Sequence, residues 1–285
     1  MPELPFNLSG GNVPLSPEEF RWISAYLHAQ TGILLNDGKQ ALVMGRLEKR
    51  LRHHGLNCYG DYFELFGAPG HVVETTLAID LLTTNETYFF REHKHFDFLR
   101  QQVIPKHPRA RPLRIWSAAS SSGEEAYTLA MTLAESFPEG SGGEPGGNWE
   151  IVGTDISTRV LETARRGVYP LSAAEKIAPP LLKKHCLKGR DEYAGYFLVS
   201  KALRARVQFQ YANLMETLPD LGQFDVIFLR NVMIYFDMPT KQRLVEKLLE
   251  RLKPGGYFMI SHSETLNGIN GRLKAVQPAV YQLPV

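Results

Sequence analysis

The chain has 285 residues, of which 44% are hydrophobic and 22% charged, a composition typical of a globular protein with a substantial core. Its 32 basic and 30 acidic residues give a net charge of +2, which does not indicate nucleic-acid binding. The two cysteines, Cys58 and Cys186, lie far apart, so a disulfide framework is not expected. The sequence begins without the pattern of a signal peptide, and it contains no apolar run of about 18 residues. We therefore expect a cytoplasmic protein with no membrane-inserted segment.

Residues 1–104 are predicted to form an all-helical first domain. Ser16 and Glu19 are spaced as a capping box, and apolar residues then recur at helical spacing. Helices are predicted at about 17–31, 39–54, 59–66, 71–82 and 92–103. Three prolines within residues 105–112 predict a linker after the last helix.

Residues 113–285 are predicted to form a second domain, because short apolar runs there alternate with helical periodicity. This alternation is typical of a parallel sheet covered by helices on both faces. Strands are predicted at 113–118, 149–155, 206–211, 224–230 and 257–262, and helices at 123–137, 157–167 and 239–252. Residues 252–256 are interpreted as a turn, and residues 140–147 as a surface loop. Residues 168–205 fit the alternation poorly and are predicted to be an insertion.

The residues that follow the first two strands indicate the kind of ligand. Such sheets bind ligands beyond the carboxyl ends of their strands, where the strand order reverses. After the first strand, a run of small residues leads to Glu124 and Glu125 at the start of a helix. Acids there disfavour a pyrophosphate and favour a positively charged ligand, or they simply suit a helix N-terminus. Asp155 ends the second strand, where a carboxylate binds ribose hydroxyls or caps a helix. A nucleoside with positive charge and no phosphate is S-adenosylmethionine.

Polar residues also follow the third and fourth strands. Asn213 and Leu214 suit an adenine, through an amide and an apolar face, although the asparagine alternatively caps a turn. Arg230 and Asn231 come directly after the buried fourth strand, and Tyr235 lies shortly beyond. Polar groups in this place favour a ligand-facing role.

Segments along the whole chain resemble the chemotaxis receptor (CheR-type) methyltransferases. They are Leu82–Arg91 (LTTNETYFFR), Trp116–Glu125 (WSAASSSGEE), Gly153–Ile156 (GTDI), Phe228–Asp237 (FLRNVMIYFD), Leu252–Tyr257 (LKPGGY) and Ser261–Glu264 (SHSE). The resemblance covers about residues 16–283 in order. It implies an α/β protein with an all-helical N-terminal domain, then a doubly wound, mostly parallel class I methyltransferase sheet. It also implies that residues 168–205 form a small inserted β-subdomain.

The resemblance implies methyl transfer from S-adenosylmethionine to glutamate side chains in the cytoplasmic helices of chemoreceptors. The implied cofactor contacts are Asn85, Thr87, Arg91, Glu125, Asp155, Asn213, Leu214, Arg230 and Asn231, with Glu125 favoured over Glu124. Arg91 and Tyr235 match positions proposed to be catalytic. We predict that Arg91 binds the acceptor carboxylate and that Tyr235 bonds to it or orients the methyl group. The alternatives are an ion pair for Arg91 and a packed aromatic ring for Tyr235.

A basic face on the second helix is the predicted receptor contact. It consists of Lys39, Arg46, Lys49 and Arg50, opposite an apolar stripe of Met44, Leu47 and Leu51. The family's N-terminal domain is thought to dock acidic receptor helices, so we predict that this face binds them; a merely solvated face is the alternative. In some family members the β-subdomain captures a receptor C-terminal peptide, and the sequence leaves this open here. We expect a monomer with no metal at His53-His54 or His93–His95.

Three other functions remain as alternatives. A DNA amino-methyltransferase often carries Asn/Asp-Pro-Pro-Tyr where this chain has Arg230-Asn-Val-Met, so nucleic acid is not predicted as a partner. A non-catalytic receptor-binding regulator is disfavoured by the presence of Arg91, Asp155 and Tyr235. A methyltransferase of a related surface-sensing pathway shares the predicted chemistry and differs only in its receptor.

Overall fold

The computed structural model describes residues 13–137 and 146–285, so residues 1–12 and most of the loop predicted at 140–147 lie outside the described residues. The chain divides into two compact units between Thr84 and Asn85. Within the described ranges, no helix is long and apolar enough to cross a membrane.

The boundary between the units precedes the one predicted after residue 104. The aromatic segment that follows Asn85 belongs to the second unit, because Phe89 and Leu99 are wholly buried in the core of that unit. The proline-rich segment 105–112 also lies inside the second unit and does not link the two. Arg111 donates a hydrogen bond of 2.5 Å to Asp225 there.

The first unit is helical, as predicted. Its helices are α1 (Pro17–Thr31), α2 (Gln40–His53), α3 (Tyr59–Phe63) and α4 (Val72–Leu82). The predicted capping box begins α1: the Ser16 hydroxyl accepts from the Glu19 amide, and the Glu19 carboxylate accepts from the Ser16 amide. Leu47 and Leu51 of α2 are wholly buried, and Val43, rather than Met44, completes the buried stripe.

The second unit is built on a seven-stranded sheet. Its strands are β1 (Leu113–Ser117), β2 (Trp149–Asp155), β6 (Val207–Tyr211), β7 (Phe224–Leu229), β8 (Leu252–Ile260), β9 (Lys274–Gln277) and β10 (Val280–Gln282). They lie in the order β6-β2-β1-β7-β8-β10-β9, with the first five parallel and β10 antiparallel to both neighbours. The helices are α5 (Lys94–Phe98), α6 (Glu124–Ser136), α7 (Thr158–Arg166), α8 (Pro179–His185), α9 (Lys201–Arg204) and α10 (Met238–Leu249).

The predicted insertion contains a second, smaller sheet. Its strands are β3 (Val168–Pro170), β4 (Cys186–Lys188) and β5 (Tyr196–Val199). They are antiparallel in the order β3-β5-β4. The predicted fold class is therefore confirmed: a helical unit is followed by a mostly parallel sheet with a small inserted β-subdomain.

Four elements differ from their predictions. Residues 252–256 do not form a turn but begin β8, where a shift of register opposite β7 accommodates the glycines. The predicted helix at 92–103 is α-helical only over Lys94–Phe98 and continues as a π-helical turn over Leu99–Val103. Strands β9 and β10 were not predicted, because segments of four and three residues are too short to show a period.

The strand order reverses between β1 and β7. Strands β2 and β6 lie on one side of β1, and β7 and β8 lie on the other. The residues that leave β1, β2 and β7 therefore meet beyond the carboxyl edge of the sheet, where a ligand crevice is expected.

Candidate functional site

The loop between β1 and α6 brings the first predicted site residues together. Ser121 has a left-handed backbone with φ of 47°, and its amide donates to Asp155 Oδ2 at 2.8 Å. The Ser121 hydroxyl donates to the carbonyl of Asn85 at 3.0 Å. One residue of the loop thus connects the start of the second unit to the end of β2. Gly123 ends the loop with φ of 96°, where a Cβ atom would lie 2.8 Å from that of Ala164.

Asp155 is buried at the end of β2, with 8% of its surface exposed. Its two carboxylate oxygens accept from the amides of Ser121 and Ser157, at 2.8 and 2.9 Å. These two bonds fix the orientation of the carboxylate at the end of the strand. The cap of the following helix α7 is Ser157, whose hydroxyl accepts from the Val160 amide, so Asp155 does not fill the capping role, and its contact with a ligand stays a prediction.

Glu125 and Arg230 form an ion pair where the strand order reverses. Arg230 Nη1 donates to Glu125 Oε2 at 2.9 Å, and the Ser117 hydroxyl donates to Glu125 Oε1 at 2.6 Å. The neighbouring Glu124 instead accepts from the Ser122 hydroxyl at 2.7 Å, and burial raises the pKa of Glu124. Only Glu125 of the two acids is bonded to Arg230.

Arg91 lies next to this ion pair through its backbone. Its carbonyl accepts a 2.5 Å hydrogen bond from Arg230, whose side chain is 2% exposed. The Arg91 guanidinium donates to the carbonyl of Glu86 at 2.7 Å and lies 5.6 Å from the ring centre of Tyr88. Thr87 lies within the same turn and is half-buried.

Asn213 and Leu214 follow β6 beside Asp155, whose carbonyl accepts from the Ala212 amide at 3.1 Å. The Asn213 side chain accepts from the Met215 amide and donates to Glu216, at 2.9 and 3.0 Å. These contacts match the capping alternative, and a contact with adenine stays a prediction.

The residues after β7 are held by the loop after β8. Asn231 has φ of 59°, its amide lies 3.2 Å from Glu264 Oε2, and its side-chain amide donates to the Ser261 hydroxyl at 2.8 Å. Tyr235 ends a 3₁₀ turn over Met233–Tyr235 and is half-buried. A catalytic role for Tyr235 stays a prediction.

Sequence reasoning missed a group of residues around Glu92. The Glu92 carboxylate accepts from the Ser261 hydroxyl at 2.8 Å and from the His262 amide at 3.2 Å, and it lies 2.9 Å from His262 Nδ1. Burial opposes ionisation, but the bonds from His262 and Ser261 and the charge of Arg230 lower the pKa of Glu92 to about 2. The only sequence signal was the SHSE segment, Ser261–Glu264, which has no chemistry apparent from sequence alone.

Donor atoms of Glu92, His95 and His262 all lie within 4.8 Å of one another, a spacing compatible with a metal ion. Burial, aided by the charge of Arg230, lowers the pKa of His95 to about 3, so this imidazole is neutral. Arg230 Nη2, however, lies 3.4 Å from Glu92 Oε2 and already supplies a positive charge. A second cation beside this guanidinium would be repelled, so we interpret the group as a hydrogen-bonded Glu92–His262 pair with a buried neutral His95 beside it.

Two residues of the predicted basic face form internal bonds in the first unit, and their binding to a receptor stays a prediction. Arg46 donates to the carbonyls of Leu82 and Thr83, at 2.8 and 3.0 Å, and so satisfies the end of α4. Arg50 forms a two-pronged ion pair with Glu74, at 2.9 and 2.5 Å.

Glu74 is a buried carboxylate that needs this partner. It also accepts from the Tyr62 hydroxyl at 2.6 Å. Burial opposes its ionisation, but bonds from Arg50, Tyr62 and His54 lower the pKa of Glu74 to about 2. Lys39 and Lys49 are exposed and remain available on the predicted face.

Comparison with known proteins gives matches along most of the chain. Residues 85–281 match the family described as CheR methyltransferase, SAM binding domain, and residues 18–83 match CheR methyltransferase, all-alpha domain. The chain is 43% identical over 266 residues to chemotaxis protein methyltransferase 2 of Pseudomonas aeruginosa, covering 93% of this chain and 92% of that protein. It is 38% identical over 272 residues to the chemotaxis protein methyltransferase of Escherichia coli, covering 94% and 92%.

Proposed function

Since the chain belongs to the CheR methyltransferase family, we propose that it transfers methyl groups from S-adenosylmethionine to glutamate side chains of chemoreceptors. The products would be the glutamate methyl esters of sensory adaptation. We propose that the reaction takes place in the cytoplasm at receptor arrays and that the enzyme acts as a monomer.

The chemistry of the crevice fits S-adenosylmethionine, the cofactor of this family. The Asp155 carboxylate stands at the end of β2, the place where an acidic residue binds ribose hydroxyls in such sheets, and two backbone bonds hold its orientation. Glu125 offers a carboxylate, 14% exposed, that suits a positively charged amino group. The buried Ser120 hydroxyl, which has no partner among the described residues, adds a polar group in the same loop. When bound, the cofactor supplies a methyl group on a positively charged sulfur.

The acceptor needs little activation. A free glutamate has a pKa of about 4.3, so its carboxylate is already the nucleophile at neutral pH and no general base is required. The work of the protein is to align this carboxylate and to exclude water. We assign alignment to Arg91, whose guanidinium can grip a carboxylate through two parallel N–H donors, and to Tyr235.

The observation that supports this proposal most strongly is the arrangement at the reversal of strand order. Arg230 bonds to both Glu125 and the carbonyl of Arg91. The residue proposed to hold the acceptor therefore shares a bonding partner with a residue proposed to hold the cofactor. Transfer between two bound groups requires such proximity.

Receptor docking is proposed at two surfaces. On α2 and the preceding turn, the exposed Lys49 and Lys39 suit acidic receptor helices. In the inserted β-subdomain, Leu187, Tyr193 and Tyr196 are 60%, 56% and 46% exposed, and the edge strand β4 suits an extended peptide added to the sheet. A receptor C-terminal peptide is the proposed occupant of that edge.

The test measures methyl transfer directly. The purified chain is incubated with methyl-labelled S-adenosylmethionine and a chemoreceptor cytoplasmic fragment, and the label is then challenged with mild alkali. Base-labile label that disappears when the methylation-region glutamates are replaced by alanine would support the proposal. Alkali-stable label would indicate a different acceptor atom. Cofactor binding by calorimetry without any label would favour the non-catalytic regulator.

A further inference from the structure

Arg91 lies between two residues with left-handed backbone. Phe90 has φ of 57° and Glu92 has φ of 56°, a conformation that side chains rarely adopt. Such residues persist only when the surrounding structure holds them, and they cluster at functional sites. The Phe90 amide donates to the Thr128 hydroxyl at 3.1 Å, which holds one side of the turn.

Glu92 holds the other side. Its carboxylate bonds to the Ser261 hydroxyl and the His262 amide and lies 2.9 Å from His262 Nδ1. All three partner groups belong to the loop that follows β8, so this one side chain ties the Arg91 turn to the end of the sheet.

Glu92 also lies close to the ion pair between Arg230 and Glu125. Its Oε2 lies 3.4 Å from Arg230 Nη2, the same nitrogen that donates to the carbonyl of Arg91. Arg230 is therefore flanked by two carboxylates, those of Glu92 and Glu125. Since an arginine fork is rigid, fixing one edge of it fixes the position of the other.

We propose that Glu92 is a positioning residue for methyl transfer, which holds the Arg91 turn and the Arg230 guanidinium against the loop after β8. Glu92 does not touch the reacting atoms; it acts through Arg91. The inference rests on the proposed function, in which Arg91 binds the acceptor carboxylate. Neither the composition nor the order of motifs indicates this role, because Glu92 and His262 are 170 residues apart in sequence.

The first test is kinetic. Glu92→Gln removes the charge and places N–H groups against N–H donors, so we expect kcat to fall by about tenfold or more. The KM for S-adenosylmethionine should rise by a smaller factor than kcat falls, since Glu92 reaches the cofactor only indirectly, through Arg230 and Glu125. His93→Ala is the matched control, because His93 is the exposed neighbour of Glu92. A Glu92→Gln enzyme with the kcat of the control would overturn the proposal.

A double-mutant cycle separates positioning from general destabilisation. If Glu92 acts through Arg91, Glu92→Gln should leave the residual kcat of an Arg91→Ala enzyme unchanged within about twofold. Independent, multiplicative losses would show that Glu92 does not act through Arg91.

Amide hydrogen exchange tests the inference without turnover. Glu92→Gln should speed exchange of the amides of residues 86–92 by about tenfold, while His93→Ala should not. Unchanged exchange in Glu92→Gln would refute the positioning role. If the wild type fails to methylate receptor glutamates but exchange is still faster in Glu92→Gln than in His93→Ala, the result would count against the proposed function alone.

Discussion

Arg230 donates a 2.9 Å hydrogen bond to Glu125 and thereby joins the end of β7 to the first turn of α6. Both side chains are largely buried, at 2% and 14% exposure. The pair stands where the strand order reverses, so we expect a ligand in the crevice to meet one carboxylate that is already oriented.

Glu125, not Glu124, is expected to contact the cofactor. Glu125→Gln removes the negative charge that we propose to face the amino group of the cofactor, and we expect the Kd for S-adenosylhomocysteine to rise by about tenfold or more. Glu124→Gln is the matched control, since Glu124 bonds to Ser122 and has a raised pKa; its Kd should change by less than about threefold. Calorimetric titration measures both, and the reverse ranking would assign the contact to Glu124.

Asp155 is expected to recognise the ribose. Asp155→Asn should weaken S-adenosylhomocysteine binding by about tenfold or more, because hydrogen bonds to a charged group contribute about 1.5–3 kcal/mol. A 2′,3′-dideoxy analogue provides the internal control. The wild type should bind the analogue more weakly than the parent, whereas Asp155→Asn should bind the two equally. If the variant still discriminates between them, another group reads the hydroxyls.

Arg91 is expected to act mainly on turnover. Arg91→Ala should lower kcat on receptor fragments by about 100-fold, equivalent to about 2.7 kcal/mol of transition-state stabilisation. Arg91→Lys keeps the charge but loses the planar fork, so its kcat should lie between those of the wild type and the alanine variant. Steady-state methylation assays give these values. Near-normal turnover of Arg91→Ala would remove this residue from the mechanism.

The Arg50–Glu74 pair is expected to make the helical unit sensitive to acid. The pKa of Glu74 is lowered from 4.5 to about 2, so its stabilising contribution is complete above about pH 5 and is lost as the pH falls towards 2. Glu74→Gln should destabilise the unit by about 3 kcal/mol at neutral pH, because it leaves Arg50 without its partner.

The control for Glu74→Gln is Glu48→Gln, which breaks the pair between Glu48 and the 63%-exposed Arg52. Exposed pairs contribute about 0–1 kcal/mol, so this variant should unfold almost as the wild type does. Denaturant unfolding followed by circular dichroism at pH 7 and pH 3 compares the three proteins. Equal acid sensitivity in wild type and Glu74→Gln would show that other groups titrate.

Charge reversal at the exposed lysines is expected to weaken receptor binding. Lys39→Glu combined with Lys49→Glu should raise the KM for receptor fragments by about fivefold at low salt, with a smaller effect at high salt because of screening. Lys274→Glu, a single reversal at exposed Lys274 on β9, serves as the control for each of the two substitutions made singly. If the variants at all three lysines have the same KM for receptor fragments, α2 does not dock the receptor.

Local patterns in the sequence determined much of this protein. Several features depend on only a few consecutive residues: the capping box at Ser16, the buried strand at Trp149–Asp155 and the polar residues that follow the strands. Helical and strand periods depend on such neighbouring residues, so they predicted the helical unit, the parallel sheet and the place of the crevice. The order of motifs then identified the methyltransferase family and its cofactor.

Only the tertiary structure decided which distant residues meet. It brought Glu92 to His262, assigned the segment after Asn85 to the second unit, and turned Arg46 and Arg50 towards partners within the first unit. A helical wheel places a basic side chain on a face but does not show that a buried carboxylate or a helix end lies opposite. Those partners come from other segments of the chain. Their contact with α2 depends on tertiary packing, which the spacing of apolar residues within one helix does not specify.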